Sequence, residues 1–303
     1  MVKGFAALRG SPKIQHIPSV RRTNAYNSPP IDPVRAIYLA AGCLLLLGLV
    51  LTWQTDTPYS WLLVLPAIAA AGAYTLAPQI RWRYWKTHPP DLPPALAPLL
   101  DRFPLYRALD LAGKREFRRR AFLIRENTEF TGMAIETIPA DVRLMVAASA
   151  ATVTFYREEF LIPGFENVLF YKHQFPTPVH ERLHASELYP ADGAIIYTLN
   201  YLIRSVVEPR KYLQLGLYEY SRALMHTDPA VRTTIAAQQL DYGEIYQLSD
   251  FSEEALKGFI GLDELDLAAI TYTLFHTHAA DFAERYPERF TALRAAFPLR
   301  TID

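Results

Sequence analysis

The hydrophobic pattern divides the chain into two unlike parts. Residues 36–55 carry no charged side chain, and after Asp56 a second uncharged stretch runs over residues 57–80. Each is about as long as the ~20 residues a helix needs to cross a bilayer. Pro66 lies inside the second stretch, where it predicts a kink. Five residues, Thr55 to Tyr59, connect the two, so the pattern predicts an antiparallel transmembrane hairpin over residues 34–80. Beyond residue 99 the periodicity becomes that of a folded domain. Helical spacing appears at residues 101–108, 114–127, 140–156 and 212–226, and between residues 263 and 286. Short runs rich in β-branched and aromatic residues at 167–171 and 194–198 predict strands. Residues 240–250 read as a loop, Ser252 as a helix start, and Tyr286-Pro287 as the break before a last helix over residues 288–296. The predicted class is α+β, mostly helical with a small sheet.

The flanks of the apolar pair complete the organisation. Residues 1–33 hold Pro12, Pro18, Pro29, Pro30 and Pro33 and read as a flexible cytoplasmic tail. Residues 81–98 combine an aromatic and basic segment (Arg81, Trp82, Arg83, Tyr84, Trp85, Lys86) with a proline-rich spacer. Residues 99–303 form the remaining domain. Cations flank both ends of the hairpin and only Asp56 lies between, which places both termini and the domain in the cytoplasm. The expected location is a bacterial inner membrane, crossed twice, with the lipid bilayer as the first partner. The competing reading is a buried helical hairpin in a soluble protein. The apolar run begins too late for an ordinary signal peptide, and most of it follows Cys43, against a lipoprotein cleavage box.

Composition narrows the chemistry. The 31 basic and 31 acidic side chains cancel, so charge gives no reason to expect nucleic acid as a direct partner. A single cysteine excludes an internal disulfide and a cysteine-built zinc site. The cations Lys114, Arg115, Arg118, Arg119 and Arg120 are expected to face water from a helix whose Phe117, Ala121, Phe122 and Ile124 face the core. Such a run is ordinarily a solvated face, and anionic lipid is its alternative contact.

The most informative stretch is residues 215–224, LGLYEYSRAL. Zincin-type peptidases carry H-E-x-x-H on a helix, which puts two imidazoles on one face with a glutamate between them. Tyr218 and Arg222 stand at the two histidine positions here, and Glu219 keeps the general-base position. The stretch resembles the GLHEFAHAL helix of the Mlc titration factor A (MtfA-like) zinc peptidase family. Residues 141–156, 168–175, 193–202 and 284–293 resemble further pieces of that family in the same order. The resemblance spans roughly residues 100–300, with Lys172 where the family has proline. It implies a zincin-like fold. Counting back from Tyr286-Pro287 against the family's pattern places Asp266 at a conserved-type acid and Thr273 at the third ligand position. All three metal-ligand positions, Tyr218, Arg222 and Thr273, are then degenerate, and no bound zinc is expected. A hydroxyl is a weak zinc ligand, and a guanidinium repels the ion.

Arg222 would on this reading replace the metal's charge, pairing with Glu219 or Asp266, while Tyr218 fills the space. The ordinary alternative is a surface pair between Glu219 and Arg222. Three functions follow. The first is a membrane-anchored, inactive peptidase homologue that binds or regulates another protein, for which the resemblance implies a transcriptional repressor. The second is an active zinc peptidase with relocated ligands, drawn from Glu219, His226 and His276 or His278. The third is a structural membrane protein. His173, His180 and His184 match no metal-binding spacing.

Overall fold

The computed structural model describes residues 32–54 and 60–299; the expected tail over 1–33, but for its last two positions, and the link over 55–59 lie outside the described residues. Helices α1 (Pro33–Gln54), α2 (Ser60–Thr75) and α3 (Ala77–Thr87) precede the domain. Gly48, late in α1, brings that helix against Leu62 and Leu63 early in α2. Asp32, ahead of α1, pairs with Arg81 in α3 at 2.9 Å, so α1 and α2 run antiparallel. Of these helices α1 alone is long and apolar enough to cross a bilayer, and it leaves Leu39, Leu46, Leu49 and Trp53 exposed. α2 has 16 residues and reaches a spanning length only together with α3, across a bend of 74°. The second apolar stretch is therefore not one helix through residue 80. Pro66 sits inside an unbroken α2, and the chain turns at Leu76, where Pro78 supplies the N-terminal proline of a new helix.

The domain follows as α4 (Ala97–Leu100), α5 (Pro104–Ala108), α6 (Leu111–Asn127), β1 (Glu129–Met133), α7 (Ala140–Val153), β2 (Asn167–Tyr171), β3 (Ser186–Tyr189), β4 (Ala194–Thr198), α8 (Leu199–Val207), α9 (Leu215–Thr227), α10 (Pro229–Ala236), α11 (Tyr242–Ser249), α12 (Glu253–Ile260), α13 (Leu267–Thr277), α14 (Ala279–Arg285) and α15 (Pro287–Ala296). It is an α+β fold, mostly helical with a small mixed sheet. The strand order is β1-β2-β4-β3, with β1, β2 and β4 parallel and β3 antiparallel at one edge.

The core is built around α7 and α9. Every residue of α7 from Leu144 to Val153 is buried, as a helix dominated by alanine must be if it is to contribute stability through close approach. α9 crosses it where Gly216 meets Ser149; a Cβ at Gly216 would overlap the serine hydroxyl. α13, α10, α8 and β3 close the remaining sides of α9.

Several sequence expectations need correction. Residues 240–250 are not a loop: Asp241 and Glu244 form a reciprocal capping box that starts α11. Of the expected 101–108 helix only α5, begun by Pro104, is helical; Asp101 to Phe103 form the turn that separates it from α4. The 263–286 segment, open between one long helix and two, is two helices, α13 and α14, meeting at His278. Strands β1 and β3 and helices α8 and α10 join the expected set. Arg120 does not face water. It is fully buried, pairs with Glu116 at 2.7 Å, and donates to the carbonyls of Thr154, Phe155 and Arg157 just beyond α7. Nor does the proline segment act as a free spacer, since Leu92 and Leu96 pack on the core and Trp85 of α3 meets Phe122 of α6 edge-on at 5.5 Å.

Candidate functional site

α9 is buried along Leu215 to Ser221, so a charged residue in that stretch needs partners from the neighbouring elements. Glu219 is fully buried and has them. Arg222 Nη1, one turn on, donates to Glu219 Oε2 at 2.8 Å. Ser186 Oγ, from the edge strand β3, donates to Glu219 Oε1 at 2.7 Å. Both carboxylate oxygens are thus engaged. Burial raises the Glu219 carboxyl above the ordinary glutamate range, while Arg222 and the serine hydroxyl work against that rise. For Arg222 the balance is reversed. Burial alone would lower its pKa, but Glu219, Tyr218 and Asp266 hold the guanidinium more firmly charged than usual.

Tyr218 is buried beside this pair. Its ring lies under the Arg222 guanidinium, 5.6 Å from centre to cation, and its hydroxyl accepts a hydrogen bond from the Asp266 backbone N–H at 3.2 Å. Burial pushes the phenol well above its ordinary value. Asp266 is the N-cap of α13, where its side chain accepts from Ala269 N–H at 3.1 Å. The structure therefore brings Tyr218, Glu219, Arg222 and Asp266 into one cluster. Thr273, also on α13, is buried, and its hydroxyl is spent on the Ala269 carbonyl of its own helix at 2.8 Å.

The histidines do not join this cluster as expected. His226 is exposed at the far end of α9 and meets Phe165 edge-on at 5.7 Å, whereas Glu219 is fully buried. His276 packs among Tyr272 and Phe275, and burial and the Arg294 charge push its imidazole down to about 3. His278 sits at the junction of α13 and α14 beside Phe251.

A neighbouring polar group escaped sequence reasoning. His184 is fully buried; its Nε2 lies 3.1 Å from Glu187 Oε2, and its Nδ1 lies 2.8 Å from the Arg182 carbonyl. His180 approaches the other Glu187 oxygen at 3.9 Å. Glu187 follows Ser186 in β3 and is near enough to oppose ionisation of Glu219. The missing signal was β3 itself. It is only four residues long, and its first two, Ser186 and Glu187, are polar side chains paired inside the fold, so it lacks the apolar run by which strands are recognised.

The zinc implied by the H-E-x-x-H resemblance does not fit these residues. One ligand position offers a buried phenol already hydrogen-bonded, and the other a cation already seated on the glutamate. Among the described residues no group of three histidine, cysteine or acidic side chains is arranged to hold a metal ion. Three cavities were characterised, near Arg107 and Lys211, near Phe160 and Tyr220, and between α1 and α2; none is lined by Tyr218, Glu219 or Arg222.

Residues 79–189 match the model of the glucose-regulated metallo-peptidase M90 family. The match runs from α3 through the edge strand β3, supports a metallopeptidase-type domain, and stops before α9. No curated protein and no solved structure matches the chain.

Proposed function

We propose that the chain is a membrane-anchored, catalytically silent homologue of the MtfA-like metallopeptidases, working as a protein-binding or regulatory module. The observation that carries this reading is the contact between Arg222 and Glu219. A general base must present a carboxylate oxygen to a reacting water, and a catalytic metal needs lone pairs from the residues that flank it. Here one Glu219 oxygen is held by a guanidinium and the other by a hydroxyl. Arginine also supplies permanently the positive charge that a buried carboxylate otherwise lacks. The domain has kept the charge balance of a metal site while losing its chemistry. The long apolar α1 near the N-terminus supports anchoring in a membrane.

On this reading α9 and β3 form a fixed scaffold, and function lies in what the domain holds near the bilayer. The partner is a protein, and a transcriptional regulator is the kind the family resemblance suggests. The reading is tested with the full chain in lipid nanodiscs, supplied with zinc and offered a mixed peptide library. Cleavage no greater than that of the Glu219→Gln variant is expected. Zinc-dependent cleavage that disappears in Glu219→Gln would establish an active peptidase instead.

A further inference from the structure

α3 occupies an unusual position, leaving α2 at 74° and carrying Arg81, Trp82, Arg83, Tyr84, Trp85 and Lys86 with no acidic residue. A helix that turns so steeply at the end of a membrane-embedded segment runs nearly along the bilayer surface. Aromatic rings and cations are the side chains suited to that depth. α3 is also fastened to the domain. Trp85 packs on Phe122, and Arg119 Nη1 donates to the Lys86 carbonyl at 3.3 Å. Arg119 and Phe122 lie in the middle of α6, which is thereby held against α3, and the N-terminal half extends from there with Leu111 and Arg115 on the same helix face. That part of α6 presents Leu111, 77% exposed, and the exposed Arg115. Neither Arg83 nor Arg115 has an ion-pair partner among the described residues, although other arginines of α6 are paired with Glu116 or Glu126.

We propose that α3 and the N-terminal half of α6 form a lipid-docking surface, seated on anionic headgroups by Arg83, Lys86 and Arg115. This rests on the reading that α1 and α2 anchor the chain in a membrane. Anionic lipid is the occupant because the surface is continuous with the apolar α1 and α2 and its charge is complementary to that headgroup layer. The domain then has one fixed face toward the bilayer rather than swinging on a tether.

The test is hydrogen exchange on the full chain in nanodiscs of phosphatidylcholine, with and without phosphatidylglycerol. Anionic lipid should slow exchange in α3 and over residues 111–119 by about fivefold or more, the scale of one cation at such a surface. High salt, or Arg83→Glu with Arg115→Glu, should abolish the difference. Equal exchange in both lipids, with α1 protected in both, would overturn this proposal and leave the anchoring intact. An α1 that exchanges freely in both would overturn the anchoring and this proposal with it. Slowing that appears only on adding a soluble acidic protein, and not with phosphatidylglycerol, would mark a protein interface and overturn lipid docking.

Discussion

Arg222 Nη1 stands 2.8 Å from Glu219 Oε2, one helical turn away on a helix buried without interruption from Leu215 to Ser221. Glu219 is completely buried, while about a fifth of the Arg222 side chain still reaches solvent. Removing the two partners should therefore have unequal effects. Arg222→Ala leaves a carboxylate with no charge partner in the interior and should cost about 3 kcal/mol of stability. Glu219→Gln leaves a guanidinium that can turn toward water and should cost less. Replacing both at once, as Glu219→Gln with Arg222→Met, should recover most of the loss. Chemical denaturation midpoints of the three variants decide the matter; equal, additive losses would mean the two side chains do not act as a pair.

Arg120 offers a second test of buried charge. It ties Glu116 of α6 to three carbonyls following α7, so Arg120→Ala should cost about 3 kcal/mol and Arg120→Lys should recover only part. A solvated position would tolerate both changes within about 0.5 kcal/mol, measured by the same denaturation.

The close crossing of α7 and α9 depends on the missing side chain at residue 216. Gly216→Ala should push its methyl into Ser149 and cost about 1–3 kcal/mol, despite alanine's better helix propensity. Adding Ser149→Gly should restore part of that loss. A double-mutant cycle on thermal unfolding measures the coupling, and an interaction energy near zero would refute the crossing.

His276 predicts how the fold responds to acid. Its ring nitrogen Nε2 is buried and has no hydrogen-bond partner among the described residues, and burial with the Arg294 charge pushes the imidazole down from 6.5 to about 3. The folded state therefore favours neutral imidazole. Its contribution is fully present above pH ~6.5 and is lost progressively as pH falls from there toward about 3. The loss should approach, and not exceed, about 1.4 kcal/mol per pH unit in that window. Comparing the pH dependence of stability for the protein and His276→Gln isolates it; parallel curves between pH ~7 and ~4.5 would show that His276 is not buried neutral.

What the sequence revealed, and what it hid, follows from how each element is stabilised. Strand 194–198 could be read because a parallel strand buried on both faces is rich in aliphatic and aromatic residues, and strand 167–171 because its half-buried positions are apolar and aromatic too. The Ala-rich α7 and the start of α12 at Ser252 were legible from composition and capping. β3 was not, since Ser186 is paired with Glu219 far along the chain and Glu187 with His184 just before the strand. Arg120 was misjudged for the same reason: local periodicity cannot see carbonyls at Thr154 to Arg157. Tyr218, Glu219 and Arg222 were singled out by the resemblance of residues 215–224 to a peptidase helix, but Ser186 as the second hydrogen-bond donor to Glu219 required the fold.

The most direct measurement is the zinc content of the purified full chain, by elemental analysis after dialysis against zinc. The account predicts far less than one zinc per chain, unchanged in Glu219→Gln. One tightly held zinc per chain, lost when Glu219 is replaced, would contradict the claim that a guanidinium has taken the metal's place.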